Sequence, residues 1–298
     1  MKSSGLPAWR SLLYVPAHVD RFVEKASARG ADAVILDLED SVPATEKERA
    51  REKARHAAAM LANDGVDVLV RINRPWRWAI RDLEAVVGPG VRAVVVPKAD
   101  SAAHIKLLGE VVGELERERD VPWGSTGVVA LIESAEALRD AHAIAGADPR
   151  VVALMLGSED FAAATGMDPD GEGVLYAKLQ IVLAARACGI VPLGLAGSIA
   201  NYKNAEQLRS IARKSRSLGF EGSPCVHPAQ IPILNEAFSP SAEEVAHAQN
   251  VVQAYERASA QGIGALEVDG RMVDVPVVER ARRVLERARR LGIPSGRV

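Results

Sequence analysis

Short runs of β-branched and aliphatic residues alternate with longer stretches in which apolar residues recur every three or four positions, and the alternation repeats along most of the chain. The runs predict strands over 11–15, 33–38, 67–72, 93–97, 128–132, 151–156 and 190–195, with an eighth, weaker one over 222–226. A helix carrying Val19, Phe22, Val23 and Ala26 is predicted to stop at Gly30. A charged helix over 44–63 has its apolar side on Ala50, Ala54, Ala57, Ala58 and Leu61. Ser101 is placed to cap a helix bearing Ile105, Leu108, Val111, Val112 and Leu115. Later helices are predicted to stop at Gly146, at Cys188-Gly189 and at Gly219.

Eight strand-then-helix units suit an α/β fold closed into a parallel (β/α)₈ TIM barrel of roughly 250 residues. An open doubly wound sheet would carry a glycine-rich turn after its first strand, and Tyr14-Val15-Pro16-Ala17-His18 is not one. Past residue 238 the pattern changes. Ser241 and Glu244 form a capping box, Asp269-Gly270 turns a short extended stretch over 265–273, and a last helix is expected over 276–291. The expected organisation is a catalytic barrel over 1–238 and a small helical lid or oligomerisation segment over 239–298.

Composition narrows the partners. Aromatic residues make up 4% of the chain against 48% hydrophobic overall, so the core is aliphatic. A net charge of −2 offers no field for nucleic acid or an anionic membrane. Two cysteines, Cys188 and Cys225, make neither a disulfide framework nor a CxxC zinc site. Arg10 and Pro16 bracket the apolar stretch 12–15 too closely for a signal-peptide core, and no run reaches the ~18 residues of a membrane span, so a soluble cytoplasmic protein is expected.

In such a barrel the chemistry gathers at the carboxyl ends of the strands. Those ends read Asp37-Leu38-Glu39-Asp40, Arg71-Ile72-Asn73, Pro97-Lys98, Glu133-Ser134, Gly157-Ser158-Glu159-Asp160 and His227-Pro228. Glu133 and Asp160 end successive strands and fit Mg²⁺, which keeps most of its shell for water and substrate oxygens. Glu159 is an alternative to Asp160, and a structural ion pair is the competing role for the acids. Arg71 suits a substrate carboxylate held bidentately, or an internal pair with Asp37 or Glu39, or both. Arg21 and Lys25, one turn apart on the first helix, read as solvated surface on their own.

Taken in order, RSLLYVPA (10–17), DAVILDLEDSV (32–42), VRIN (70–73), VVVPK (94–98), LIES (131–134), LGSEDFA (156–162) and GSPCVHPAQI (222–231) resemble the citrate lyase β-subunit-like branch of the HpcH/HpaI aldolase superfamily. The resemblance covers nearly the whole chain. It implies a barrel with Mg²⁺ on Glu133 and Asp160 and with Arg71 on the substrate carboxylate. Tyr14, Arg21, Lys25, Val226 and His227 would then lie near the arm of CoA or an acyl carrier protein, with Asp37, Glu39, Asp40 and Lys98 supporting the site. The tail VDGRMVDVPVVERARRVL (268–285) resembles the lid of malyl-CoA and citramalyl-CoA lyases, where the matching Asp274 acts in a neighbouring subunit. That implies a homotrimer or hexamer. Capping is the commoner role of an Asp before a Pro-initiated helix, and the resemblance sets catalysis above it. One departure is Ala196, which stands where many members carry an acid.

The implied reaction is cleavage of a 3-hydroxy-3-carboxyalkyl thioester, or the reverse condensation, with Asp274 exchanging a proton at the thioester α-carbon. Two other readings stand beside it: an aldolase acting on a free hydroxy-oxoacid, and a non-catalytic CoA-ester-binding or regulatory subunit.

Overall fold

The computed structural model describes residues 5–200 and 202–294. Eight parallel strands form one sheet: β1 (Ser11–Pro16), β2 (Ala33–Asp37), β3 (Asp67–Arg71), β4 (Ala93–Val96), β5 (Gly127–Ile132), β6 (Val151–Leu156), β7 (Val191–Leu193) and β8 (Ser223–Cys225). The order is β7-β6-β5-β4-β3-β2-β1-β8, and a parallel bridge between Leu193 and Gly222 joins the two edges. The result is a nearly closed TIM barrel, as the strand count requires.

Period two builds its interior. Leu12, Ala33, Ile35, Leu69, Ala93, Val95, Val129, Leu131, Ala153, Met155, Val191 and Leu193 belong to one buried cluster, in which β2 and β4–β7 each contribute two alternate residues and β1 and β3 one each. The other parity faces the helices. Ala50, Ala54, Ala57, Ala58 and Leu61 are buried along the helix Lys47–Asn63, as their spacing predicts. Ser101 accepts a hydrogen bond from the amide of His104 at 3.2 Å and so starts the helix Ala102–Glu118.

Three helices differ from the sequence expectation, and the one after β5, expected to stop at Gly146, is two short helices, Ala135–Arg139 and Ala141–Ala145. The segment before Gly30 is not one helix but a four-residue turn, Asp20–Val23, followed by a 3₁₀ turn, Ser27–Arg29. Phe22, expected on its buried side, is 47% exposed, because so short a helix turns only Val23 inward. The helix after β6 is two helices, Ser158–Thr165 and Glu172–Ala187, broken where Gly166 adopts φ 70°.

The chain divides into two compact units, with the break between Glu236 and Ala237. In the second unit, Ser241 and Glu244 form the capping box of the helix Ala242–Ser259. Two short antiparallel strands, β9 (Leu266–Val268) and β10 (Arg271–Val273), are joined at Asp269 and Gly270. Both turn residues have positive φ, 51° and 74°, the requirement of a tight type I′ hairpin. Val268, Val273, Val278 and Ala281 pack with Ala248 and Val251 as this unit's own core. Among the described residues no helix is long and apolar enough to cross a membrane.

Candidate active site

The alternation that fills the barrel also loads its mouth. Counting two residues on from the interior positions Leu12, Ile35, Leu69, Leu131 and Met155 reaches Tyr14, Asp37, Arg71, Glu133 and Gly157. All five line one cavity of about 360 Å³. The barrel's apolar layers thus end in a polar layer at the carboxyl ends of the strands, where barrels of this kind do chemistry.

One side of the cavity is a closed ionic network. Asp37 and Arg71 are register partners on β2 and β3. Arg71 donates through Nε to Asp37 Oδ1 at 2.7 Å and through Nη2 to Oδ2 at 2.8 Å. Its Nη1 lies 3.1 Å from Glu39 Oε2 and 3.4 Å from Asp40 Oδ2. Lys98 Nζ reaches the other oxygen of Glu39 at 3.0 Å. The Tyr14 ring lies beneath the Arg71 guanidinium at 5.1 Å. Burial alone would raise the Asp37 pKa, yet the Arg71 hydrogen bonds and charge hold it below the ordinary carboxylate value. Glu39, buried against weaker contacts with Arg71 and Lys98, is pushed upward instead.

The other side is different in kind. Glu133 is 5% exposed and accepts a 2.6 Å hydrogen bond from the backbone amide of Lys98. Lys98 holds that amide in place with φ at 47°, left-handed backbone that costs a non-glycine residue about 1–2 kcal/mol. Burial first, and the charge of Asp160 second, push the Glu133 carboxyl up to about 8. Asp160 lies not at a strand end, as the sequence suggested, but in the first turn of the helix Ser158–Thr165. Neither acid makes an ion pair among the described residues.

A buried carboxylate whose ionisation a nearby second carboxylate opposes, with neither in an ion pair among the described residues, forms a site one hard cation would satisfy. Among the described residues no group of three or more His, Cys, Asp or Glu is placed to hold a metal. A cation here would draw the rest of its shell from water and substrate, which suits Mg²⁺ and not a structural zinc.

The remaining sequence candidates fall in several places. Val226 lines the cavity, whereas His227 is exposed and stacks on Tyr202 at 4.7 Å. Arg21 and Lys25 are exposed and are not part of the cavity wall; the Arg21 guanidinium lies over the neighbouring Phe22 ring. Asp274, in the second unit, is the N-cap of the helix Val275–Arg290 and accepts from the Val277 amide at 3.4 Å. Ala196 donates its amide to Ser215 Oγ at 2.8 Å, and the carboxylate serving that loop is Asp170, which accepts from the Ser198 amide at 2.7 Å.

Three contributors escaped the sequence reading. Gly157 leaves room for Glu133, since a Cβ there would lie 2.5 Å from Glu133 Cγ. Gln230, fully buried, accepts from the amides of Val226 and His227 and donates to the Ile199 carbonyl, tying the loops after β7 and β8 together. Lys178 stands in a helix whose other inward residues are apolar, so spacing alone reads it as the edge of a core face. The only signal was its place among Val174, Ala177 and Ile181 on the buried side.

Comparison with known proteins settles the relationship. The family model for HpcH/HpaI aldolase/citrate lyase matches residues 10–228. The chain belongs to this family. Among its relatives, the citrate lyase subunit beta of Escherichia coli (strain K12) is 37% identical, with 95% of this chain and 94% of that protein covered. The L-malyl-CoA/beta-methylmalyl-CoA lyase of Cereibacter sphaeroides (strain ATCC 17025 / ATH 2.4.3) is 33% identical, with 94% of each covered. In three dimensions the chain is similar to protein CitE from Mycobacterium tuberculosis, solved in complex with magnesium, acetoacetate and coenzyme A. The TM-score is 0.74 and the identity 32%, over 96% of this chain and 99% of that one. The family's barrel and the one built here from strand parity are the same architecture.

Proposed function

We propose that the chain is a Mg²⁺-dependent carbon–carbon lyase that cleaves a 3-hydroxy-3-carboxyalkyl thioester to an acyl thioester and a 2-oxoacid, or forms it by the reverse condensation. Membership of the family and its lyase relatives support a CoA-ester lyase in general. The observation that carries the metal-dependent form is the pair of buried Glu133 and half-buried Asp160 at the cavity wall, neither of them in an ion pair among the described residues.

Glu133 and Asp160 would hold the metal, and bound there Mg²⁺ would supply Lewis-acid polarisation of the 2-oxoacid oxygens. The Lys98 amide fixes one Glu133 oxygen, leaving the other to the cavity. Arg71, locked bidentately onto Asp37, offers a guanidinium that cannot swing away and so stabilises negative charge that develops beside it without reorganising. Its cation–π contact with the Tyr14 ring adds a further hold on that guanidinium. Asp274 serves in this reading as the proton donor to the thioester α-carbon in cleavage and as the base in condensation, from the lid of a neighbouring subunit in a trimer or hexamer. Arg21, Lys25, Val226 and His227 are proposed for the CoA or carrier arm, Val226 being the one of them on the cavity wall.

The test is a coupled assay for the released 2-oxoacid with malyl-CoA, citramalyl-CoA, β-methylmalyl-CoA and citryl-CoA, each with Mg²⁺ and with EDTA. Mg²⁺-dependent release from any of them supports the lyase and names its acyl group. Silence from folded, Mg²⁺-supplied protein across the whole panel would remove the lyase reading in favour of a CoA-ester-binding subunit.

A further inference from the structure

Lys178 lies in the helix Glu172–Ala187, is 3% exposed, and lines the same cavity as Arg71 and Glu133. Its Nζ donates to the backbone carbonyl of Gly197 at 3.0 Å. Among the described residues it makes no ion pair. The two carboxylates that bear on it are engaged elsewhere. Asp170 accepts from the Ser198 amide at 2.7 Å, and Glu159 accepts from the Ser198 hydroxyl at 2.8 Å.

The contrast with Arg71 is informative, because Arg71 has all three of its nitrogens on carboxylates. An ammonium resting on one carbonyl in a buried wall is costly to keep unless an anion completes it. Burial pushes Lys178 down to about 8, with Asp170 and Glu159 opposing, so at neutral pH it still carries its charge. Position adds the rest. Arg71 ends β3, Lys178 follows β6, and the acids Glu133 and Asp160 stand between them in the strand order. A ligand with one carboxylate needs one of these cations; a ligand with a carboxylate at each end meets both.

We propose that Lys178 binds a second carboxylate on the substrate, the one remote from the reacting carbonyl, and so selects a dicarboxylic 2-oxoacid over a monocarboxylic one. The inference rests on the lyase reading above and names a specificity-determining residue within it. Lys178 takes no part in bond cleavage.

The test is calorimetric binding of oxaloacetate and of pyruvate to the full chain with Mg²⁺ at pH 7, for the wild type, Lys178→Met and Lys178→Arg. The wild type is expected to bind the dicarboxylate at least about tenfold more tightly than the monocarboxylate. Lys178→Met should lose about tenfold or more for oxaloacetate and less than about twofold for pyruvate, and Lys178→Arg should restore most of the difference. Equal losses for both ligands would reduce Lys178 to an anchor for the Gly197 carbonyl and overturn the proposal, as would no loss for either. Wild-type protein that binds both acids without discrimination overturns it while leaving the lyase reading standing. Wild-type protein that binds neither acid removes the lyase reading, and this inference with it. If Lys178→Met does not fold by circular dichroism, Lys178→Gln supplies the neutral side chain and the same ratio is read.

Discussion

Gly157 and Glu133 occupy one space: a methyl group on the first would sit 2.5 Å from both Cγ and Oε1 of the second. The strand pairing explains why, since Leu156, just before the glycine, is the register partner of Ile132, just before the glutamate. Gly157→Ala must therefore push Glu133 off its hydrogen bond with the Lys98 amide. We expect the variant to fold, with a destabilisation of about 1–3 kcal/mol from overpacking. Its Mg²⁺ affinity should fall by about tenfold or more, as when a partner that orients a metal ligand is lost. A Mg²⁺ titration beside a melting curve checks both. Unchanged affinity would mean that Glu133 is not the ligand proposed.

Arg71 and Asp37 are both largely buried, with side chains 13% and 2% exposed. Asp37→Asn breaks the pair and leaves a guanidinium short of a counter-charge, which costs about 3–5 kcal/mol when such a pair is buried. At about 2–4 °C per kcal/mol for a domain of this size, the melting temperature should drop by at least about 6 °C. The pH dependence has a definite sign. The Asp37 pKa is depressed in the folded state, so its stabilisation is present above the ordinary carboxylate value and is lost as pH falls through the lower folded one. Acid unfolding below about pH 4 should accordingly be steeper for the wild type than for Asp37→Asn.

Lys178 has the opposite linkage in the alkaline range. Its folded pKa of about 8 lies below the ordinary 10.5, so the unfolded chain binds more protons between those values. The wild type should gain stability relative to Lys178→Met as pH rises from 8 toward 10, because the cost of the buried charge is then removed. Thermal melts of the two proteins without ligand across that range give the comparison. A constant difference would place Lys178 in a more polar setting than the one described.

Asp274 caps a helix, and asparagine caps helices about as well as aspartate. Asp274→Asn therefore separates the two roles, preserving the cap while removing the proton-transfer group. Melting temperature and Mg²⁺ binding should stay unchanged, while turnover should fall by about 10²-fold or more. Full turnover would leave Asp274 as a cap alone.

Much of this was legible in the chain itself. Period-two runs and their polar ends located Asp37, Arg71 and Glu133, because a strand's alternation continues unchanged from the apolar layers into the mouth, whereas Tyr14 came only with the family resemblance. Capping signals were equally local: Ser101, the Ser241–Glu244 box and the Asp269-Gly270 turn act through atoms within a few residues. What spacing could not supply was how the charges divide. Asp37 and Glu133 are both acids at strand ends, yet one is neutralised by a cation on the next strand and the other faces a second acid. Nor could spacing separate Lys178 from the apolar face it shares with Val174 and Ile181, or show that Phe22 belongs to a helix too short to bury it. Local pattern determines which residues a segment turns to one side, because that depends on backbone geometry alone. Burial and pairing of charge depend on what the closed barrel brings against that side, and only the tertiary structure decides it.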